Sequence, residues 1–328
     1  GYQWRTVNHT GNFNFERLDL RTGVWVPDLE FKDDLNLLQT VHGGYLQFNG
    51  QFHQVSIRAG LRGEQMFRNL THARGSGPLR LNQFDLFPSL QALVHLKSNQ
   101  ELKWGYSKRI DRPTTKALSP FKNHRHSEAI WIGDPNLLPE TTHNFELAYV
   151  KRMEKSSISL TAYHQRTSNL IFRVNDSYNR ITLYTISTNA GNSRSTGLEM
   201  INEWQVISWA NFYLTGNTYF FQINQAENAL TSITRSLNYN LNANFTFRLH
   251  PKWKLQWNTS YLSRTVTAQG FDTDMLLSNL GLKFSANKNW TFEVLAQNLF
   301  DDNRQTITTR SSLFYSSTEY TKNDRIIQ

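Results

Sequence analysis

Residues 237–248 read Leu-Asn-Tyr-Asn-Leu-Asn-Ala-Asn-Phe-Thr-Phe-Arg. In an extended chain Leu237, Tyr239, Leu241, Ala243, Phe245 and Phe247 share one face, and Asn238, Asn240, Asn242, Asn244, Thr246 and Arg248 the other. A helix would scatter both sets around its circumference, so this unbroken alternation specifies a strand. The period recurs elsewhere. Trp253, Leu255, Trp257 and Tyr261 alternate with Lys254, Gln256, Asn258 and Ser260. Val55, Ile57, Ala59 and Leu61 stand against Gln54, Ser56, Arg58 and Arg62. Leu102, Trp104 and Tyr106 stand against Glu101, Lys103, Ser107 and Arg109.

Extending this reading gives thirteen strands, at 4–20, 38–49, 52–66, 84–96, 100–110, 140–151, 156–172, 195–205, 209–223, 235–248, 253–265, 275–285 and 290–300. A short segment at 181–187 extends a loop. Several strands exceed the roughly 9–11 residues that a tilted strand needs to cross a bilayer. The connections alternate in length. Short ones fall at 49–51, where Asn49-Gly50 has the type I′ hairpin signature, and at 97–99, 152–155, 206–208, 249–252 and 286–289. Long ones fall at 21–37, 67–83, 111–139, 173–194, 224–234, 266–274 and 301–323. Tight turns thus gather on one side and elaborate loops on the other. That is the asymmetry of a membrane-spanning barrel, with short periplasmic turns and long extracellular loops. The apolar face then meets lipid and the asparagine-rich face a wet or filled lumen, with every backbone group paired within the sheet. Trp104, Tyr106, Trp204, Trp209, Tyr219, Phe220, Trp253, Trp257, Tyr261 and Trp290 are expected in interfacial aromatic girdles. The alternative is a soluble, secreted β-protein that packs the same aromatics inside or offers them as glycan platforms.

Composition agrees with the β reading. The 328 residues carry Phe 21, Tyr 13 and Trp 9, a charge of +9 and no cysteine. The last point excludes disulfides, thiolate metal sites and cysteine nucleophiles. No apolar run is long enough for a transmembrane helix, and Gly1-Tyr2-Gln3-Trp4 does not read as a signal peptide.

Several local motifs carry a resemblance. They are Tyr106-Ser107-Lys108-Arg109-Ile110-Asp111-Arg112-Pro113, then Leu118-Ser119-Pro120-Phe121, and Gly133-Asp134-Pro135-Asn136-Leu137-Leu138-Pro139-Glu140 leading into Asn144-Phe145-Glu146-Leu147. Next come Asn189-Ala190-Gly191 before Ser195-Thr196-Gly197-Leu198-Glu199, and finally Asn298-Leu299-Phe300-Asp301. In order and spacing they resemble the C-terminal barrel half of TonB-dependent outer-membrane receptors, in the branch termed the outer membrane protein β-barrel family. The fold expected is therefore all-β, an antiparallel transmembrane β-barrel that is partial, with 13–14 strands of an expected 22. Residues 1–328 form one β-barrel segment. The plug domain and about eight strands are expected elsewhere, and the strand beginning near Asp324 is read as cut off. The rival is a complete 14-strand barrel.

The resemblance implies a receptor or transporter in the outer membrane of a Gram-negative bacterium, taking up a siderophore, cobalamin or glycan in a TonB-dependent manner. It implies lipid and lipopolysaccharide, the plug, the TonB system and a surface lipoprotein as partners. A porin-like passive channel or the barrel of an outer-membrane assembly factor is the alternative.

The motif residues Arg109, Arg112, Pro113, Pro120, Phe121, Gly133, Pro135, Pro139, Glu140, Gly191, Gly197, Glu199, Asn298 and Phe300 are read as structural. Prolines push the preceding residue to extended backbone and so bracket a loop at Arg112-Pro113 and Asp134-Pro135. Gly197, at a strand start, allows a bulge or close approach. Glu140, Glu146 and Glu199 with Arg109 and Arg112 are candidates for an ionic cluster that ties loop to wall. His124, His126 and Glu128 share one face of an extended segment at a spacing that can ligate a metal. No catalytic motif appears, so neither catalytic residues, an enzyme activity nor a cofactor is expected. The basic residues are dispersed, which argues against nucleic acid and for contacts with lipopolysaccharide phosphates or for anionic ligands in the lumen.

Overall fold

The computed structural model describes residues 1–327 apart from 30, 76, 127–128, 178, 180–181, 190, 228–229, 268, 303, 311–313 and 322–325. For 124–126, 206, 225–227, 230–232, 326 and 327 it describes the backbone alone. Fourteen strands form one antiparallel sheet, each hydrogen-bonded to the next in chain order. They are β1 (Tyr2–Phe13), β2 (Asp33–Phe52), β3 (Val55–His72), β4 (Leu79–Leu96), β5 (Gln100–Asp111), β6 (Glu140–Met153) and β7 (Ser156–Ser168). Then follow β8 (Gly191–Ile207), β9 (Ala210–Glu227), β10 (Leu230–His250), β11 (Trp253–Leu262), β12 (Met275–Ser285), β13 (Thr291–Gln297) and β14 (Ile326–Ile327). The sheet is open: among the described residues β1 pairs with neither β13 nor β14. Among the described residues no helix is long and apolar enough to cross a membrane, which bears only on helical spans.

The thirteen expected strands all appear, but several connections differ. The first turn lies at His53-Gln54, with His53 at φ 52°. Asn49-Gly50 sits inside β2, opposite Arg58 and Ile57. The apolar alternation runs on through Phe48 and Phe52, so pairing continues to the membrane edge. Gly50 lies between those two rings, where a Cβ would stand 2.9–3.0 Å from each. The expected loop 224–234 contracts, because β9 and β10 pair as far as Glu227 opposite Leu230. Loop 67–83 likewise shrinks to 73–78 as β3 runs to His72. Beyond the apolar band the outer face of a strand no longer meets hydrocarbon, so pairing outlasts the hydrophobic period that announces it. The first strand instead ends early, and a separate hairpin, Glu16–Asp19 with Val24–Pro27, follows it.

The alternation of residues 237–248 points as expected. Leu237 is 63% exposed and Asn238 only 2%. The outward apolar stripe of β10 spans ten residue steps, from Leu237 to Phe247. At ~3.3 Å per residue and a tilt near ~40°, that is ~25 Å of membrane height, the usual apolar band. Aromatic rings mark both rims. At the short-turn side Trp253 stacks on Phe284 (4.4 Å), Phe284 on Phe292 and Trp290 on Phe292 (both 6.4 Å). Toward the loops Tyr239 stacks on Tyr261 (5.8 Å) and Tyr106 packs on Phe145 (4.8 Å). Within the belt the Trp257 indole N–H donates to Ser278 Oγ (2.8 Å), so this polar atom is not left bare in hydrocarbon.

Tyr219 leaves the expected girdle. It lies opposite Gly197, which lies opposite Tyr163, and all three face the lumen. Gly197 sits within β8, in continuous register rather than at a bulge. A Cβ there would stand 2.8 Å from the Tyr163 ring and 2.6 Å from Tyr219 Cβ. We therefore expect Gly197→Val to cost about 1–3 kcal/mol by forcing the ring off the strand, measurable as a lowered urea midpoint of the full-length protein in vesicles.

Candidate functional site

At the loop end, the inner face of β2 and β3 departs from the asparagine-rich pattern. Leu35, Leu37, Val41, Met66 and Leu70 point inward and are buried. Segment 112–139 folds down upon them. Thr114 caps a single helical turn, Thr115–Leu118, by accepting from Ala117 N–H (3.2 Å). Leu118, Phe121 and Leu137 then close a core with Leu35, Leu37 and Leu70.

The motif residues fasten this segment. Arg112 pairs with buried Glu64 (2.5 Å), to which Arg62 also donates, and its Nε–H points at Met66 Sδ (3.2 Å). Arg68 donates to the carbonyls of Leu137 (2.8 Å) and Pro135 (3.3 Å). Gly133 presses against the helical turn: its N–H donates to Ser119 O, that of Asp134 to Ala117 O (both 2.8 Å), and a Cβ on Gly133 would collide with both carbonyls. The Asn189 side chain accepts from Leu138 N–H (2.7 Å) and donates to the carbonyls of Leu138 (3.0 Å) and Asn169 (2.7 Å). Glu140 accepts from Ile171 N–H.

The loops go on to build two small sheets over the lumen. In one, Ile171–Ser177 pairs with Leu183–Asn189, which runs parallel to Ala129–Ile132, itself paired with Asn123–His126. The segment expected at 181–187 is thus a strand of this cap. The other joins Thr265–Val266, Gly270–Asp272, Arg304–Arg310 and Tyr315–Thr321. Gln269 links the two, its amide accepting from Asn175 N–H (2.8 Å) and donating to Asn175 O (3.0 Å). Asp272 lies in the second sheet with Oδ1 buried and without a partner among the described residues, and burial raises its pKa above the ordinary 3.8. A carboxyl raised in the folded state withdraws stability as the pH climbs from its unfolded value through its folded one. Asp272→Asn is expected to slow amide exchange in this sheet at pH 7 and to leave it unchanged near pH 3.

Between cap and wall lies a cavity of about 1150 Å³. Among the described residues Asp111, Glu140, Glu146 and Glu199 line it with one basic group, Arg109, beside Asn144, Asn217, Asn238 and Asn240 and the rings of Tyr163, Tyr219, Phe221 and Phe172. Its acidic balance disfavours the anionic ligand that the chain's net charge suggested. The expected ionic cluster is split. Arg109, Glu140, Glu146 and Glu199 share the cavity, but no ion pair joins them among the described residues, and Arg112 reaches Glu64 instead.

Of the other motif residues, Pro113, Pro120, Pro135 and Pro139 lie along the folded-in segment. Gly191 opens β8, with its carbonyl accepting from Leu170 N–H (2.9 Å). Asn298, at φ 51°, ends β13 by donating to Asp301 Oδ1 (3.3 Å) and accepting from Asp301 N–H (3.1 Å), while Phe300 stays exposed. Glu128 lies outside the described residues, as do the side chains of His124 and His126. Glu64, Arg68 and Asn189 are the fastening residues that sequence reasoning passed over. Asn189 stood in a quoted motif, whereas Glu64 was an unremarked polar position of the expected strand 52–66 and Arg68 fell in the expected loop 67–83.

The sequence matches the outer membrane protein beta-barrel family over residues 1–328. No curated protein matches it. Among solved structures it is similar to the ferric citrate transporter FecA in the unliganded form (TM-score 0.69, 14% identity, 99% of this chain and 50% of that one). It is also similar to the copper transporter OprC (0.66, 11%, 99% and 54%) and to the ferric yersiniabactin uptake receptor FyuA from Yersinia pestis (0.65, 12%, 98% and 49%). The chain spans about half the length of these proteins, and at such identities the likeness is one of fold. By sequence and by architecture the chain belongs to the outer membrane protein beta-barrel family, whose members reside in the outer membrane of Gram-negative bacteria.

Proposed function

We propose that residues 1–328 form part of the barrel of a receptor that imports a bulky nutrient across the outer membrane in a TonB-dependent manner. In this reading the remaining wall strands and a plug domain come from the same full-length protein. The observation that carries it is the cap. Two loop sheets, linked to each other and fastened to the wall, cover a polar, aromatic-lined cavity of about 1150 Å³. A concave site with a few placed polar groups under ordered loops suits capture of one large solute, whereas a channel needs an unobstructed bore. Its acidic lining favours a neutral or cationic solute, in the class of metal complexes, cobalamin or glycans. The open sheet and the similarity to half of each of three transport proteins are consistent with a wall completed by more strands.

The test uses the full-length protein in cells, with uptake of labelled ferric siderophores, cobalamin and oligosaccharides measured with and without a functional TonB. Uptake of one of them that vanishes without TonB supports the reading. TonB-independent uptake, together with steady conductance in planar bilayers, would favour the passive channel.

A further inference from the structure

One line of inward-facing residues crosses the cavity wall from strand to strand. Glu146 lies opposite Tyr163, Tyr163 opposite Gly197, Gly197 opposite Tyr219, and Tyr219 opposite Asn238. With neighbouring strands ~4.8 Å apart, the line measures ~19 Å along the wall. Its middle is aromatic. The Tyr163 hydroxyl donates to Asn217 Oδ1 (3.1 Å), which lays the ring against Gly197, and Tyr219 follows on the next strand. One end is acidic. Glu146 stands there, with Glu199 and the directly opposed Glu140 and Asp111 lining the same cavity.

The other end holds an unfinished group. Asn238 lines the cavity at 2% exposure, and neither its Oδ1 nor its Nδ2 has a partner among the described residues. Ser236 Oγ, two positions along the same face, is also buried and unpaired among them. An amide buried without partners bears the full cost of its lost hydration, which a ligand offering both a donor and an acceptor removes. The protein itself shows which group does so. The Asn189 side chain clasps the N–H and C=O of Leu138 (2.7 and 3.0 Å), and that of Gln269 clasps those of Asn175 (2.8 and 3.0 Å). A side-chain amide and a peptide group complete each other, and Asn238 faces the cavity with that valence unused.

We propose that this row binds an extended cationic oligopeptide, with an ammonium group at Glu146 and Glu199, the chain lying across Tyr163 and Tyr219, and one backbone amide clasped by Asn238. At ~3.3 Å per residue the row takes about six residues. An ammonium beside carboxylates and aromatic rings gains from both. The proposal rests on the cavity's being the capture site for a solute, and it adds peptides to the solutes named for it. The test titrates the full-length protein in detergent with an amidated hexapeptide, two lysines followed by four alanines, by isothermal calorimetry. The wild type should bind it saturably. Acetylating its three amines should weaken binding at least about tenfold, and so should Glu146→Gln/Glu199→Gln. Asn238→Leu should weaken it about tenfold while the urea midpoint in vesicles stays at or above that of the wild type, since an unpaired amide is gone; this separates lost binding from lost folding. A hexamer of glucosamine, which carries amines but no peptide groups, should bind at least about tenfold more weakly than the peptide. No saturable binding of the peptide, or equal binding by Asn238→Leu or by the double variant, overturns the proposal. So does equally tight binding of the acetylated peptide or of the glucosamine hexamer, the second of which makes the row an amine site for glycans. The titrations need no TonB, so their failure leaves the receptor reading to the uptake measurement, and failure of that reading leaves the peptide site standing.

Discussion

Replacing Glu64 by alanine should cost about 3 kcal/mol, at the lower end of the range for breaking a buried ion pair, because one of its two cationic partners stays half exposed. The carboxylate is 4% exposed and is the partner that the structure gives to Arg112, the first residue of the folded-in segment. Without it Arg112 is left lining a small cavity beside Arg5 and Arg62, with Asp111 the only acid there among the described residues. Glu64→Gln keeps the shape and one acceptor and should recover part of the loss. The urea midpoint of the full-length protein in lipid vesicles reads both effects. An unfolding free energy within about 0.5 kcal/mol of wild type for the alanine variant would mean that lumen water already screens the pair.

Leu137→Ala should cost about 2–5 kcal/mol, since Leu137 is fully buried at the meeting point of the segment and the wall. The deficit falls on one latch rather than on the whole sheet, because the wall strands keep their pairings. It should therefore appear as local opening. Limited trypsin cleavage after Lys116 and Lys122 should accelerate by tenfold or more while the barrel's heat-modifiable mobility stays unchanged. Equal cleavage rates would show that Arg68, holding the carbonyls of Pro135 and Leu137, secures the segment without the leucine.

What could be read from the sequence follows the physics of each face. Where one side of a strand meets hydrocarbon and the other a polar lumen, as at Leu237 to Phe247, the alternation is forced and legible. Beyond the apolar band, as around Asn224 and Thr234, the contrast between the two faces lapses, nothing in the pattern separates strand from loop, and the extended ends of β9 and β10 were missed. Inverted stretches hide in a different way. Leu35, Leu37 and Leu70 fell in the expected loops 21–37 and 67–83, yet they belong to β2 and β3 and face inward, because segment 112–139 supplies their apolar partner, a contact far away in sequence. Asn49-Gly50 carried a genuine turn preference, overridden by the pairing of β2 with β3 down to Phe52 and Val55. Tyr219 was misplaced by residue type alone: its parity along β9, in step with Asn217 and Phe221, assigns it to the lumen. The cap sheets rest on non-local pairings such as Leu183 with Ala129, for which a single sequence holds no local signal.

These 328 residues hold no cysteine, and any cysteine elsewhere in the full-length protein is first replaced by serine for the decisive experiment. Single cysteines introduced in turn from 237 to 247, each spin-labelled in the reconstituted full-length protein, report whether a position meets lipid through its collision rate with oxygen relative to a water-soluble nickel chelate. Oxygen accessibility should peak at 237, 239, 241, 243, 245 and 247 and fall at every even position between them. A flat profile, a helical period, or maxima at the asparagines would contradict a wall whose apolar face touches the bilayer.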